Sequence, residues 1–203
     1  MAPRLVIFDM DDVLCRYDLG RRLRALSRLS DRTPRDIRAA LWDSGFEDDA
    51  DSGGYPDTAH YLAEFGRRLG CAISLDQWIA ARREAMAPDA EVLGLSRRIA
   101  ERAALTIFTN NGPIPQAHFA ALFPEAAEIF AACHCSYQFA TKKPDPASYL
   151  RLLAQLGVPA EEAWFIDDKH SNVAGARLAG LPAHHFRSAP LLAEAARELD
   201  LIA

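Results

Sequence analysis

Four short apolar runs, each followed by polar residues, constrain the fold of this chain more than any other feature of its sequence. They lie at residues 4–8, 105–108, 129–135 and 163–166, and the run at 129–135 is the weakest. Strands that are apolar at successive positions are typically buried on both faces. Helical patterns fill segments between them, at residues 92–103, 116–122, 146–156 and 172–179. This alternation predicts an α/β fold, a parallel sheet with helices on both faces.

Local signals mark the ends of several helices. Asp145 is suited to cap a helix that begins at Pro146, because its side chain accepts from free backbone N–H groups and proline fits the first helical position. Gly157 and Gly180 stand where helices are expected to end. In a sheet of this kind, ligands bind beyond the carboxyl ends of the strands. The polar clusters of this sequence fall at those ends.

Residues 14–88 interrupt the alternation. Helical patterns occur there at residues 19–29, 34–42, 58–69 and 75–86, with a Gly/Asp-rich loop at 45–55, and no strand is indicated. An all-helical segment directly after the first strand predicts a small bundle over the edge of the sheet. We therefore expect a core domain of residues 1–14 and 89–203, and a helical domain of residues 15–88.

Composition argues against nucleic-acid and membrane partners. The formal net charge is −5, and no block of lysines and arginines offers a surface for a phosphate backbone. No apolar run approaches the roughly 20 residues of a membrane span, and Asp9 ends the first run at once. We expect a protein that is neither exported nor inserted in a membrane, with a small or protein-borne substrate. No pattern indicates the oligomeric state.

The cysteines have no disulfide-framework spacing; they are Cys15, Cys71, Cys133 and Cys135. The Cys133-His134-Cys135 segment places possible ligands too close together for a zinc site, and no second pair follows. We expect reduced, packed thiols in a cytoplasmic protein.

Asp9 and Asp11 follow the first predicted strand two residues apart. In an extended backbone their side chains project in the same general direction. Two carboxylates held close together repel unless a cation or a shared proton separates them. Taken alone, the pair is better explained as a solvated turn. Its significance depends on the other strand ends.

The other strand ends carry groups that complement this pair. They are the Thr109 hydroxyl, the Asn110 amide, the Lys143 ammonium before a rigid Pro-Asp-Pro, and the carboxylates of Asp167 and Asp168. Phosphoryl transfer requires an in-line nucleophile, a divalent ion, a cation on the phosphoryl oxygens and an acid for the leaving oxygen. The sequence offers a candidate for every role.

The order of these segments resembles the four motifs of haloacid dehalogenase-like hydrolases. The segments are Phe8-Asp-Met-Asp-Asp-Val13, Thr109-Asn110, Lys143-Pro-Asp-Pro146 and Phe165-Ile-Asp-Asp-Lys-His-Ser-Asn172. Together they span almost the whole chain outside the helical segment. The resemblance implies a Rossmann-like core, a helical cap between the first and second motifs, and a magnesium-dependent phosphatase that forms an aspartyl-phosphate.

The resemblance also assigns roles. Asp9 would be the nucleophile, and Asp11 would protonate the leaving alkoxide and then deprotonate the hydrolytic water. Thr109 and Asn110 would bind the phosphoryl group. Lys143, rather than Lys142, would neutralise nucleophile and phosphate, since the lysine of the family directly precedes the proline.

Magnesium is the metal that the resemblance implies. Its ligands would be Asp9, the backbone carbonyl of Asp11 and Asp167, with Asp168 helping directly or through water. An all-oxygen shell completed by substrate phosphate is the usual environment of Mg²⁺.

Asp11 distinguishes phosphatases from dehalogenases within this family, because dehalogenases protonate no leaving oxygen and lack the second aspartate. A phosphomutase would need a second phosphate site, and no basic cluster indicates one. A non-catalytic binding protein is disfavoured because every motif residue is retained.

The Asp-Asp-x-x-x-Asn pattern ending at Asn172 is similar to that of sugar-phosphate phosphatases. Asp12 occupies a position where glycine is commonest, and aspartate tolerates the left-handed backbone of that turn.

Several other residues have structural explanations that we prefer. Asn172 is expected to cap a helix, His170 to lie in a solvated loop, and His184 and His185 to pack or face solvent. In the helical segment, substrate contacts are sought among Arg16, Tyr17, Trp42, Phe46, Glu47 and Tyr55, most of which we expect to be structural.

Overall fold

A parallel five-stranded sheet is the centre of the computed structural model, which describes residues 2–203. Within these residues the strands are β1 (Leu5–Phe8), β2 (Cys15–Tyr17), β3 (Met86–Pro88), β4 (Ala104–Thr109), β5 (Cys133–Cys135), β6 (Ala163–Asp167) and β7 (Ala183–His185). The central sheet has the order β5-β4-β1-β6-β7, and every neighbouring pair is parallel. The predicted α/β class is confirmed.

Helices connect the strands and form the segment after β1. They are α1 (Leu19–Ser27), α2 (Pro34–Arg38), α3 (Phe46–Asp51), α4 (Thr58–Leu69), α5 (Leu75–Glu84), α6 (Ala90–Ile99), α7 (Pro113–Ala117), α8 (Phe119–Leu122), α9 (Pro124–Ala127), α10 (Pro146–Leu156), α11 (His170–Leu178) and α12 (Ala189–Glu198). A π-helical turn, Ala39–Asp43, extends α2.

Alternate side chains of the central strands enter two different cores. In β1, Val6 and Phe8 pack into a cluster with residues of α6 and α12, whereas Leu5 and Ile7 pack with residues of α10 and α11. All four β1 side chains are buried. Each such side chain contributes about 1.5–3 kcal/mol relative to an exposed one. The continuous apolar run is therefore explained by helices on both faces of the sheet.

Most predicted elements of the core are present. The runs at 4–8, 105–108 and 163–166 correspond to β1, β4 and β6, and the 146–156 helix has the predicted ends, with Asp145 accepting from the backbone of Ala147. The prediction of one helix over 116–122 is wrong. The chain forms α7 and α8 instead, because His118 leaves the helical region at φ −128° and ψ 32°. The terminal helix α12 was not predicted.

The expectation of no strand within residues 14–88 is wrong. β2 and β3 form an antiparallel pair in which Arg16 lies opposite Ala87. This pairing joins the two ends of the helical segment and satisfies backbone groups where the chain leaves and rejoins the core. Three-residue strands have no recognisable periodicity, so the sequence gives no sign of them.

The predicted loop at residues 45–55 contains α3. Gly45 precedes this helix with φ +80°, and Phe46 is buried at its first position. Acidic residues occupy the first turn, where the helix dipole favours negative charge. Those acidic residues are also what made the segment resemble a loop in the sequence.

The helical insert, defined here as residues 18–85, supplies most of a separate hydrophobic cluster. Leu26, Leu41, Phe65 and Trp78 are among its buried members. Ile114 and Leu122, from α7 and α8, complete the cluster. The insert is therefore packed against the part of the core that follows β4.

No helix among residues 2–203 is both long enough and apolar enough to cross a membrane. All four cysteines are free thiols, and Cys15, Cys133 and Cys135 are buried.

We predict that Gly175→Ala destabilises the protein by about 1–3 kcal/mol. A Cβ at Gly175 in α11 would overlap the carbonyl oxygen of Pro144, so the helix or the Lys143-Pro144 loop would have to move. Urea unfolding measures the effect.

Gly94→Ala is the matched control. Gly94 also lies within a helix, α6, but a Cβ there meets no atom within 4 Å. Alanine should stabilise this helix by up to about 1 kcal/mol. Equal effects of the two substitutions would contradict the tight contact at Gly175.

Candidate active site

The carboxyl ends of β1, β4 and β6 bring the acidic residues together. Phe8 at the end of β1 is in register with Ile107 of β4 and with Ile166 of β6. Asp9 and Asp167 therefore occupy equivalent positions on adjacent strands, and the backbone N–H of Asp9 donates to the Ile166 carbonyl at 2.8 Å. Both aspartates are buried.

Lys143 lies between these two carboxylates. Its Nζ is 2.9 Å from Oδ1 of Asp9 and 2.7 Å from Oδ2 of Asp167, and it also donates to the Phe108 carbonyl at 2.9 Å. Only 2% of Lys143 is exposed. Lys142, by contrast, reaches outward and pairs with Asp48 of the insert. Of the two lysines, Lys143 is the one at the strand ends.

Asp9, Lys143 and Asp167 shift one another's pKa values. Burial raises the pKa of Asp9 to about 8, although the Lys143 ammonium opposes this shift. Burial also acts to raise the pKa of Asp167, but Lys143 and the hydrogen bonds to this carboxylate outweigh it, and the pKa lies below its usual value. Burial tends to lower the pKa of Lys143, which the two carboxylates nevertheless keep above its ordinary value. Asp167 and Lys143 form the ionised pair of the site.

Asn172 and Lys169 hold Asp167 in place. The Asn172 amide, 4% exposed, donates to both carboxylate oxygens at 3.0 Å, and the Lys169 backbone N–H donates to Oδ1 at 2.8 Å. The interpretation of Asn172 as a helix cap is wrong, since Lys169 precedes α11 as its N-cap. A buried carboxylate in need of donors is the physical reason for an asparagine at this position.

Asp9, Asp167 and Asp168 form a cluster of carboxylates. One oxygen of each lies within 4.8 Å of the others. Oδ1 of Asp168 is buried and has no hydrogen-bond partner among residues 2–203. Burial and the neighbouring Asp167 raise the pKa of Asp168. An unpartnered buried oxygen in an all-oxygen group of acids fits a hard divalent cation such as Mg²⁺.

The side chain of Asp11 lies outside that carboxylate group. Its Oδ2 accepts from Nη2 of Arg82 at 2.5 Å, and the guanidinium of Arg82 stacks over the ring of Tyr17 at 4.0 Å. Arg82 comes from α5 of the insert and is 1% exposed. Sequence reasoning missed Arg82. Its helix gave no pattern that distinguished it from the adjacent, exposed Arg83.

Thr109 and Asn110 occupy the end of β4. Thr109 is buried, and its hydroxyl accepts from the Asn111 side chain at 2.9 Å. The Asn110 amide donates to the Lys143 carbonyl at 2.8 Å and accepts from the Lys143 N–H at 3.0 Å. Asn110 therefore fixes the backbone of the lysine loop. Substrate contact by either residue stays a prediction.

The sequence that forms this site matches the model of a known protein family. The family model for haloacid dehalogenase-like hydrolases matches residues 3–180. The chain belongs to this family. Sesquiterpene phosphatase astK of Aspergillus oryzae is 28% identical over 99 residues, 49% of this chain and 50% of that protein. The match thus spans about half the length of this curated relative.

Solved structures of the haloacid dehalogenase family share the fold. The family enzyme BT-2542 of Bacteroides thetaiotaomicron, in complex with magnesium and inorganic phosphate, has a TM-score of 0.71 and 18% identity, with 91% of this chain and 94% of that chain covered. L-2-haloacid dehalogenase of Xanthobacter autotrophicus has a TM-score of 0.59 and 20% identity, with coverages of 89% and 76%. At these identities the likeness concerns the fold alone.

Asp12 replaces the glycine that haloacid dehalogenase-like hydrolases commonly have after the second aspartate. Its φ of 61° confirms a left-handed turn, and its Oδ1 accepts from the Tyr17 backbone at 3.0 Å. A short acidic side chain tolerates this conformation by bonding locally.

The remaining candidates have varied surroundings. His170 is exposed but begins α11 instead of lying in a loop, and a ring nitrogen of His185 lies 2.8 Å from the Asp168 carbonyl. Phe46 of the insert belongs to the hydrophobic cluster, and Arg16 of β2 is exposed. Tyr17, Trp42 and Glu47 instead surround two buried arginines, Arg22 and Arg82.

We predict that Lys143→Met lowers the free energy of unfolding by about 3 kcal/mol at pH 8 in metal-free buffer, since two buried carboxylates lose their cation. The pKa of Asp9, which burial already raises, and the pKa of Asp167 would both rise when this ammonium is removed. The folded state would bind protons that the unfolded state releases, so stability should recover as pH falls from 8 to 5.5. Urea unfolding at the two pH values measures this.

Lys142→Met removes the same charge from the neighbouring, more exposed lysine. It should change the free energy of unfolding by no more than about 0.5 kcal/mol at either pH. A loss for Lys143→Met that equals the control, or that does not diminish at pH 5.5, would contradict the buried ion-pair network.

Proposed function

We propose that this protein is a magnesium-dependent phosphatase that hydrolyses a small phosphate monoester through an aspartyl-phosphate. The observation that carries the proposal is the different position of two carboxylates, Asp9 and Asp11. Asp9 faces Lys143 within the acidic cluster, whereas Asp11 lies apart from that cluster. A nucleophile and an acid that serve opposite ends of one phosphate ester need this separation.

In the first step a carboxylate oxygen of Asp9 forms a bond to phosphorus as the ester oxygen leaves. Asp11 gives its proton to that oxygen and releases an alcohol. Asp11 then accepts a proton from a water molecule, whose oxygen attacks the aspartyl-phosphate and regenerates Asp9 with release of phosphate. Lys143 and Thr109 stabilise the charge on the phosphoryl oxygens.

Magnesium would be held by Asp9 and Asp167, with help from Asp168 and from the Asp11 backbone carbonyl. The ion supplies positive charge that neutralises and orients the phosphate. A cation next to Asp9 favours its ionised form, the form that attacks phosphorus, against the effect of burial.

The insert, together with β2 and β3, would act as a cap over this site, with residues 15–88 as the cap domain and residues 1–14 and 89–203 as the catalytic core. A hydrophobic cluster supplied mainly by the insert and the β2–β3 pairing at its two ends support this division. The Ser136 hydroxyl donates to the Asp51 carbonyl at 2.6 Å, and Arg82 reaches Asp11, so the insert lies against the strand ends. A cap in this position would shield Asp9 from bulk solvent while the phosphoryl group is transferred to it, and would then admit the water that hydrolyses the intermediate.

The site residues fit phosphatase chemistry better than dehalogenase chemistry. Asp11 provides the acid that a dehalogenase does not need, and the Aspergillus oryzae relative is named a phosphatase. The free thiols support a reducing compartment, so we place the activity in the cytoplasm, on phosphorylated metabolites such as sugar phosphates.

The decisive measurement is phosphate release from a panel of phosphorylated metabolites, hexose 1-phosphates and 6-phosphates included. We expect release with magnesium, none with EDTA, recovery when magnesium is added back, and a loss of about a thousandfold or more in Asp9→Asn. Circular dichroism should show that Asp9→Asn remains folded. Release that persists in EDTA would exclude the metal mechanism, and silence of the wild type would favour the mutase or a non-catalytic role.

Asp11→Asn tests the acid. We expect turnover to fall by about 10²–10⁴-fold, because an amide cannot transfer the proton, while magnesium binding stays close to that of the wild type. Isothermal titration with magnesium provides the second readout. Full turnover in this variant would remove Asp11 from the proposed mechanism.

A further inference from the structure

Two arginines of the insert have buried hydrogen-bond donors that nothing in residues 2–203 satisfies. Arg82 is 1% exposed and Arg22 is 5% exposed. Nε of Arg82, and both Nε and Nη2 of Arg22, are buried without a hydrogen-bond partner. Buried charged donors without acceptors are costly, so such groups are normally paired. Two such arginines side by side indicate a site for a ligand rich in acceptors.

The two guanidinium groups belong to one cluster. Trp78 and Arg82 are four residues apart on α5 and therefore share a face of that helix. The Arg22 guanidinium lies over the Trp78 ring at 4.7 Å and over Trp42 at 5.2 Å. Tyr17 joins the pair, since its ring lies under Arg82 and its hydroxyl accepts from Nη1 of Arg22 at 3.4 Å.

The acids near this cluster do not satisfy Arg22. The closest oxygen of Glu47 is 3.7 Å from Nη2 of Arg22, which is beyond a hydrogen bond. Glu47 instead accepts from the Tyr61 hydroxyl at 3.1 Å. Charge attraction therefore holds Glu47 near Arg22, while Nε and Nη2 of Arg22 still lack hydrogen-bond acceptors.

The position of Arg82 identifies what it would contact. Its Nη2 is 2.5 Å from Oδ2 of Asp11, the carboxylate that protonates the leaving oxygen under the proposed function. A leaving oxygen that approaches Asp11 brings the atoms attached to it next to the Arg82 guanidinium. Arg22 is connected to Arg82 through Tyr17, whose ring lies under Arg82 and whose hydroxyl accepts from Arg22. Under the proposed function, the cluster would therefore lie on the side of the leaving group.

We propose that Arg82 and Arg22 bind an anionic group on the leaving group, so that the substrate is a phosphate monoester that carries a carboxylate or a second phosphate near the ester oxygen. This inference rests on the proposed function and adds the chemical class of its substrate. Guanidinium groups bind carboxylate and phosphate through paired N–H donors. A hydrocarbon alcohol would leave the same donors without acceptors.

Four esters of similar size test the proposal: ethyl phosphate, 2-carboxyethyl phosphate, propane-1,3-diol bisphosphate and 2-aminoethyl phosphate. We expect kcat/KM for at least one of the two anionic esters to exceed that for ethyl phosphate by about tenfold or more, and the aminoethyl ester to be the poorest. The carboxylate and bisphosphate arms distinguish the two sources of negative charge.

Arg82→Met should reduce the ratio of kcat/KM between the preferred anionic ester and ethyl phosphate to about one, since the discriminating donor is lost. Arg82→Lys should keep part of the preference. Arg83→Met removes the same charge from the exposed neighbour on α5 and should leave the ratio unchanged. A purely structural arginine would alter stability without altering this ratio.

Each outcome decides the matter. Equal kcat/KM for all four esters in the wild type would overturn the leaving-group proposal while phosphatase chemistry stands, and this result requires no variant to fold. An anionic preference that survives in a folded Arg82→Met protein would assign it to other residues and overturn the role of Arg82. No phosphate release from these esters or from the metabolite panel would overturn the proposed function itself, and this proposal with it.

Discussion

The Lys143 ammonium between Asp9 and Asp167 is the interaction on which the rest of the site depends. Two buried carboxylates on neighbouring strands repel each other, and a cation 2.9 and 2.7 Å away makes their approach tolerable. Much of the surrounding structure keeps that lysine in place. Asn110 bonds both sides of the Lys143 backbone, and Gly175 allows α11 to lie directly against the next residue of the loop. These contacts restrict the conformation of the loop that carries the Lys143 ammonium.

The parts of this design that are local in sequence could be predicted. A strand buried on both faces must be apolar throughout, so β1, β4 and β6 were recognisable, and the polar residues that follow them had to meet at one edge of the sheet. The family resemblance then distinguished Lys143 from Lys142. Asp145 and Gly157 marked the ends of α10 because helix ends have local chemical requirements.

The parts that depend on distant contacts could not be predicted. Arg82 reaches a residue 71 positions earlier in the chain, and no pattern within α5 distinguishes it from Arg83. Asn172 was predicted to be a helix cap because a helix cap and a hydrogen-bond donor to Asp167 both place an asparagine near the start of α11. Only the folded position of Asp167 distinguishes the two roles. The same reasoning applies to α3, whose acidic first turn is equally consistent with a solvated loop. Local sequence patterns identify the residues at the strand ends, whereas the roles of residues in the insert are seen only from its contacts in the folded structure.

The pairing of β2 with β3 has a consequence for how such a protein can vary. Because Cys15 lies opposite Pro88 and Tyr17 opposite Met86, the insert leaves and returns to the core at one place. Its length and internal packing can therefore change without displacing β1 or β4, whose ends carry the acidic residues. The contacts that the insert makes with the core at Asp11 and Ser136 are side-chain contacts, which single substitutions can replace. The strand ends that carry the acidic residues and the insert that contacts them are thus free to diverge at different rates.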